Sequence, residues 1–304
     1  MSPKLAVLIP CHNEALTVAT VIEGFRAALP DATIYVYDNN STDGTADVAR
    51  AAGAEVRFES RPGKGSVVRR MFADIEADWY IMVDGDATYD ASAAPRLLAH
   101  AIEGHYDLVN AARAETAQKA YRPGHRFGNR VLTGLVGVIF GSRTTDMLSG
   151  YKVLSRRFVK SFPAMSAGFE IETELMIHAL ELRLPVSEVT APYGERPEGS
   201  VSKLATWRDG FLILRLVGLL VQRERPFEFF GIVALILLLG GLLLGLPVVT
   251  EFFATGLVPR LPTAVLASAL VLAALLSFAV GLILNAITHS RREAKRLAYL
   301  AAGR

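Results

Sequence analysis

Residues 227–249 carry a single charge, Glu228, and residues 262–287 carry none. At about 1.5 Å per residue in a helix, either run can cross a hydrocarbon core of about 30 Å. Inside that medium every peptide group needs a partner within its own segment, so both runs are predicted as helices. A helix buried in a soluble core is the competing account. Two such runs in tandem, in a 304-residue chain that is 51% hydrophobic, favour two membrane spans.

The flanking charges set the orientation. Arg208, Arg215, Arg223 and Arg225 precede the first run, and Arg291, Arg292, Lys295 and Arg296 follow the second. Between them, residues 250–261 hold Arg260 as the one cation. The positive-inside rule therefore predicts both termini in the cytoplasm and a short loop outside. Residues 1–10 form an apolar strand without the basic start or cleavage site of a signal peptide, so none is expected. The lone Cys11 leaves no intrachain disulfide and fits a reducing compartment. A net charge of +2 gives no reason to expect nucleic acid as a partner, because the basic residues gather beside the bilayer. Residues 204–226 alternate apolar side chains with Arg208, Asp209 and Arg215, the pattern of a helix lying in the membrane interface.

Residues 1–203 have a different texture. Apolar runs at 5–9, 33–37, 54–58 and 79–83 alternate with helical patterns at 17–29, 43–52, 66–75 and 93–103. Alternation of this kind predicts an α/β domain with a mainly parallel sheet covered by helices. Each of these strands ends in a polar, turn-forming segment. The first is followed by Pro10-Cys11-His12-Asn13-Glu14 and the second by Asp38-Asn39-Asn40-Ser41-Thr42-Asp43-Gly44-Thr45. The third is followed by Arg61-Pro62-Gly63-Lys64-Gly65 and the fourth by Asp84-Gly85-Asp86. Any one of these segments could be a turn. Four in succession on one sheet edge, where α/β folds bind ligands, point to a nucleotide site. Glu14 and Asp38 can accept hydrogen bonds from base or ribose, and Lys64 between glycines can meet a phosphate. Asp84 and Asp86 are spaced to grip a hard divalent cation.

These segments, in this order, resemble the family 2 glycosyltransferases of the GT-A, Rossmann-like fold. The likeness is specifically to polyprenyl-phosphate sugar synthases related to dolichyl-phosphate mannose synthase and to bacterial undecaprenyl-phosphate glucosyltransferases. Further carriers are Asp146-Met147-Leu148-Ser149-Gly150-Tyr151-Lys152 and Arg196-Pro197-Glu198-Gly199-Ser200-Val201-Ser202-Lys203. The first is similar to the family's acceptor-side segment, the second to its diphosphate-closing loop. The resemblance implies a GT-A catalytic domain at 1–203, an interface helix at 204–226 and a two-span region at 227–304. It implies that Pro10, Asn13, Glu14 and Asp38 line the base and ribose pocket. Asp84 and Asp86 would hold Mg²⁺ or Mn²⁺ against the diphosphate, with Lys64, Arg196 and Lys203 adding positive charge. Two departures stand out: Asn39 replaces the family's second aspartate, and Thr88 stands where relatives often carry a metal-binding glutamine.

The implied reaction moves one hexose, with inversion, from a nucleotide diphosphate sugar to polyprenyl phosphate at the bacterial inner membrane. A UDP-sugar such as UDP-glucose is favoured, with GDP-mannose as the alternative. A lipid phosphate is already anionic, so no strong general base is required. Arg113, Arg126 and Arg130 are candidates to clamp it, because guanidinium binds phosphate bidentately; headgroup binding is their competing role. Glu170-Ile171-Glu172-Thr173-Glu174 allows two readings. A strand aligns all three carboxylates, whereas a helix separates them; Glu172 or Glu170 would then reach the donor sugar, or the acids merely solvate a helix start. The histidines show no metal-ligand spacing. A processive polysaccharide synthase would carry Gln-x-x-Arg-Trp and more spans, and a membrane scaffold or transport subunit would not need Asp84, Asp86 and Lys64 together. Homo-oligomers formed through the spans are a further expectation, without a sequence signal of their own.

Overall fold

A computed structural model of the chain describes residues 3–115, 133–134, 137, 144–168, 170–194, 222 and 224–303. The chain divides into two units, Met1–Phe211 with Ala294–Arg304, and Leu212–Glu293. Most of the segment expected as an interface helix, 204–221 and 223, lies outside the described residues.

The first unit begins with β1 (Leu5–Cys11), α1 (Val18–Ala28), β2 (Thr33–Asp38), α2 (Thr45–Ala51), β3 (Glu55–Phe58), α3 (Lys64–Asp74) and β4 (Trp79–Met82). A 3-10 turn at Ala91–Ala93 leads into α4 (Ala94–Glu103), followed by β5 (Leu108–Glu115), β6 (Lys152–Ser155), α5 (Arg156–Ser161), α6 (Ile171–Glu181) and β7 (Val186–Tyr193). The strands form one seven-stranded sheet in the order β3-β2-β1-β4-β6-β5-β7. β1 through β4 are parallel, β6 is antiparallel to both β4 and β5, and β7 is parallel to β5. The domain is thus α/β with a mainly parallel sheet, as its alternating pattern predicts.

The sequence explains the strand positions. β1 is apolar throughout and buried on both faces, as a central parallel strand must be. β3, with Glu55 and Phe58 exposed, takes an edge. Pro10 would remove a ladder donor from a central strand, but pairing to β4 has already stopped at Leu8. Val7, Ile9, Ile34, Val36 and Ile81 pack one face of the sheet against Val18, Ile22 and Phe25 of α1 and Leu97 of α4. Elsewhere Phe72, Tyr80, Phe158 and Phe162 form an aromatic cluster around His178.

Strand order also places the ligand crevice. From β1 the chain moves outward to β2 and β3, then returns to β4 on the other side of β1. The switch point of the sheet therefore lies between the ends of β1 and β4, the position at which open α/β sheets bind ligands.

The last turns of the long final helix, from Ala294, belong to the first unit. There Lys295 pairs with Glu181 at 2.6 Å, and Tyr299 donates to Asp107 at 2.7 Å.

The second unit contains α7 (Pro226–Thr255) and most of α8 (Leu261–Ala302), both long and apolar enough to cross a membrane. Ala234, Gly241 and Val248 are buried on α7, and Ala267, Ala274, Gly281 and Thr288 on α8. Each set recurs every seventh residue, the seam of two helices packed at a shallow angle. A Cβ at Gly241 would lie 2.9 Å from Val271 and 3.1 Å from the Ala267 carbonyl, so the small residue permits close approach. Buried Glu224 takes Arg291 at 2.8 Å and Arg292 at 3.4 Å.

Burial, with Lys295 nearby, pushes the His178 imidazole down from 6.5 to about 4. Between those values the unfolded chain binds a proton that the native state does not, so stability falls as pH falls from 6.5 toward 4, by up to about 3 kcal/mol. Thermal denaturation over that range should show this slope, and a His178→Gln variant should flatten it.

Candidate active site

Two loops at the switch point are laced together by short polar side chains. Asn13 adopts φ 54°, a left-handed conformation that asparagine tolerates. Its Oδ1 accepts from Thr42 N at 2.8 Å, and its own N–H donates to Ser41 Oγ at 2.9 Å. Glu14 N donates to Thr45 Oγ1 at 2.8 Å. Asn13 thus staples the β1 loop to the β2 loop, and Glu14 follows it toward β4. Thr17 Oγ1 donates to Gly85 O at 2.7 Å, and a Cβ on Gly85 would meet Cys11 Sγ at 2.7 Å. The β1 and β4 loops therefore touch.

Asn39 ties in the third loop. Its amide nitrogen donates to the carbonyls of Glu59 at 2.7 Å and Arg61 at 2.8 Å, while its oxygen accepts from Gly63 N at 2.8 Å. An aspartate has no donor for two carbonyls, which explains the asparagine. Next to it, buried Asp38 accepts from Ser41 N through Oδ2 at 3.3 Å. Its Oδ1 is buried and has no hydrogen-bond partner among the described residues. A buried acceptor left open in this way invites a ligand donor.

Lys64 opens α3, two residues earlier than the sequence pattern suggests. The preceding Gly63 has φ 109°, and a Cβ there would sit 2.2 Å from Ala167 O. At Gly65 it would sit 2.1 Å from Ser166 O. The glycines let the segment preceding α6 lie directly on this turn, with Gly65 N donating to Ala167 O at 2.9 Å. Glu174 holds that segment by accepting from Met165 N at 3.1 Å and Ser166 N at 2.8 Å.

The Lys64 ammonium donates to both Asp84 Oδ1 and Glu172 Oε1. Burial opposes its charge, but the two carboxylates outweigh burial and raise its pKa above the ordinary lysine value. Glu172 lies in the first turn of α6, so the acidic segment is helical and its acids diverge. Glu172 turns to Lys64 and Glu174 to the neighbouring loop.

Asp84 keeps 28% of its side chain exposed, so its carboxylate is reachable from solvent. Gly150 makes room for it: a Cβ there would come within 2.1 Å of Asp84 Oδ2. Thr88 donates to Asp86 Oδ1 from its N–H at 3.2 Å and its hydroxyl at 2.6 Å. The residue in the glutamine's place therefore orients Asp86. Among the described residues no cluster of three or more His, Cys, Asp or Glu is disposed around a metal position. Two carboxylates from one loop, one of them open to solvent, still suit Mg²⁺ or Mn²⁺, which take oxygen ligands and keep several from water or phosphate.

The acceptor-side segment is anchored separately. Arg113 donates from Nε to Asp146 Oδ2 and from Nη2 to Asp146 Oδ1, each at 2.7 Å, with its guanidinium over Tyr193. Gly150 N donates to Tyr89 Oη at 2.7 Å. Asn110 donates to Asp146 O at 2.7 Å and accepts from Lys152 Nζ at 2.6 Å. Of the residues expected at the site, the structure joins Lys64, Asp84 and Glu172 directly, ties Asn13 and Glu14 to the loop that follows Asp38, sets Pro10 near the end of β1 and Asp86 in the loop of Asp84, and places Arg113 on Asp146. Arg126, Arg130, Arg196 and Lys203 lie outside the described residues. Asn110 carries no signal in the sequence, and Asp146, Gly150 and Lys152 are marked there only as members of a motif.

Residues 6–162 match the model of glycosyl transferase family 2. Glycosyltransferase AglJ of Haloferax volcanii is 34% identical over 249 residues, covering 82% of each chain. A dolichyl-phosphate hexose transferase of the same organism is 24% identical over 63% of this chain and 83% of its own. In fold the domain is similar to glucosyl-3-phosphoglycerate synthase from Mycobacterium tuberculosis, solved with Mn²⁺, UDP and glucosyl-3-phosphoglycerate. That likeness has a TM-score of 0.58 at 23% identity and covers 71% of this chain and 80% of that one. The catalytic fold is GT-A, and the chain belongs to glycosyltransferase family 2.

Two substitutions test the geometry. Asn39→Asp should set a carboxylate against the Glu59 and Arg61 carbonyls and lower unfolding free energy by about 2 kcal/mol or more in denaturant titration. Gly150→Ala should displace Asp84, lowering activity and divalent-cation affinity together while thermal stability changes less than in Asn39→Asp.

Proposed function

We propose that this glycosyltransferase moves a single hexose from a UDP-sugar to polyprenyl phosphate at the cytoplasmic face of a bacterial inner membrane. The observation that carries this reading is one sheet edge on which the open Asp38 acceptor, the Gly63–Lys64 turn tied to its neighbour Asn39, and the Asp84 carboxylate held by Lys64 follow one another. The first suits a base, and the other two suit a diphosphate.

Asp38 also favours the uridine donor. With Oδ2 engaged by Ser41 N, its Oδ1 suits the single N–H of uracil better than the two adjacent donors of guanine. Glu14, beside Gly85, is near enough to the same pocket to accept from ribose. The lipid acceptor is supported by the two candidate spans and by the relative named as a dolichyl-phosphate hexose transferase.

In the reaction an acceptor phosphate oxygen attacks the anomeric carbon, and the bond from that carbon to the donor diphosphate breaks with its electron pair. No proton must be removed first, so the attack requires no general base. A single displacement inverts the anomeric centre, in line with the family resemblance. Asp84 and Asp86 would hold Mg²⁺ or Mn²⁺, which would supply charge neutralisation for the leaving diphosphate. Lys64 adds a fixed positive charge beside it, and Glu172 accepts from a sugar hydroxyl. Arg113, with two of its nitrogens on Asp146, is better suited to bracing the pocket wall. The phosphate clamp then falls to Arg126 and Arg130, and closure over the diphosphate to Arg196 and Lys203.

A donor panel assayed with undecaprenyl phosphate in bilayers should give metal-dependent transfer with a UDP-hexose and less with GDP-mannose. EDTA should abolish it, and Asp86→Ala should reduce kcat at least about 100-fold. Failure of every donor to release nucleoside diphosphate would refute the reading; full turnover by Asp86→Ala would refute the metal site.

A further inference from the structure

Lys152 begins β6, paired across the sheet with Met82 of β4 and Asn110 of β5. It thus stands at the sheet edge that carries the site, two residues of β4 short of Asp84. Its side chain is fully buried, and Asn110 Oδ1 is its hydrogen-bond partner among the described residues. No carboxylate forms an ion pair with it there. An ammonium without a carboxylate in contact is among the costliest groups to hold in a protein interior. Nothing in the packing of β6 demands it, because the neighbouring Val153 and Leu154 are buried as ordinary apolar side chains.

The charges around Lys152 belong to the site. Glu172 from α6 and Asp146 from the acceptor-side segment attract it, while Lys64 from α3 and Arg113 from β5 repel it. Its partner Asn110 donates to the Asp146 carbonyl at 2.7 Å and to Glu188 at 3.1 Å. Asp146 in turn grips Arg113. Lys152 therefore stands within reach of two groups of site charges: the Lys64–Glu172 pair and the Asn110–Asp146–Arg113 chain.

We propose that Lys152 is a positioning residue for sugar transfer, whose buried ammonium fixes the Asn110–Asp146–Arg113 chain and balances Glu172 and Asp146. Burial raises the Glu172 pKa, and the Lys152 charge, with that of Lys64, opposes the rise. The inference rests on the transferase reading above. Burial, partly offset by Glu172 and Asp146, pushes Lys152 down to about 8, so its charge titrates close to working pH.

The test uses the full-length protein in bilayers with Mn²⁺, UDP-glucose and undecaprenyl phosphate, or whichever donor supports wild-type turnover. Lys152→Met should lower kcat at least about tenfold with donor KM changed less than about threefold, the mark of an interaction made in the transition state. Its Tm should stay within about 3 °C of wild type, because losing a buried charge offsets the orphaned Asn110 oxygen. Lys152→Arg, which keeps a charge and donors, should retain kcat within about fivefold. The kcat–pH profile of the wild type should fall on an alkaline limb near pH 8. Lys152→Arg, which does not titrate there, should lose that limb.

Wild-type kcat in Lys152→Met would overturn the proposal. So would an alkaline limb unchanged in Lys152→Arg, a result that stands even if the methionine variant fails to fold. Losses of kcat that merely follow Tm in both variants would assign Lys152 a structural role. Absence of turnover by the wild type with every donor would instead refute the transferase reading, and the two failures remain distinct.

Discussion

A buried lysine between two carboxylates organises the catalytic domain. Lys64 comes from the start of α3, Asp84 from the end of β4, and Glu172 from the start of α6. One ammonium therefore joins three elements distant in sequence at one point on the sheet edge. Removing Lys64 would leave two neighbouring carboxylates without compensation, which costs far more than the pairs contribute. The surrounding glycines serve this contact. Gly63 and Gly65 admit the carbonyls of residues 166 and 167, and Gly150 admits the Asp84 carboxylate. A side chain at any of these three positions would displace the atoms it admits.

Polar side chains then do between loops what the sheet ladder does between strands. Asn13, Asn39, Thr17 and Thr88 each use one or more hydrogen bonds to fix a loop that carries a carboxylate. The two places where the chain departs from its family's motif fit this pattern. Asn39 supplies donors that an aspartate lacks, and Thr88 orients Asp86. Asp38 is the exception, with one buried oxygen left open.

Much of this was legible in the chain. Alternating apolar runs gave the parallel sheet, and charge-free runs gave the candidate spans, because both follow from local periodicity and composition. The loops at the strand ends were legible for the same reason: glycine, asparagine and aspartate announce turns wherever the backbone reverses. Two features were not. Glu170-Ile171-Glu172-Thr173-Glu174 suited either strand or helix, and packing against the glycine turn decided for helix. Arg113 is a candidate phosphate clamp by residue type alone, and its contact with Asp146 depends on β5 meeting the segment that precedes β6, which no spacing encodes.

The sequence alone determined the class of fold, the order of the loops and the two apolar helices, since each is a property of neighbouring residues. Tertiary structure decided which charges meet. Lys64 and Glu172, or Lys152 and Asn110, are brought together by strand order and crossover, and burial then sets what those charges can do. Desolvation is a property of the assembled core: Lys152 looks like any surface lysine in the chain and becomes a marked group only inside the sheet.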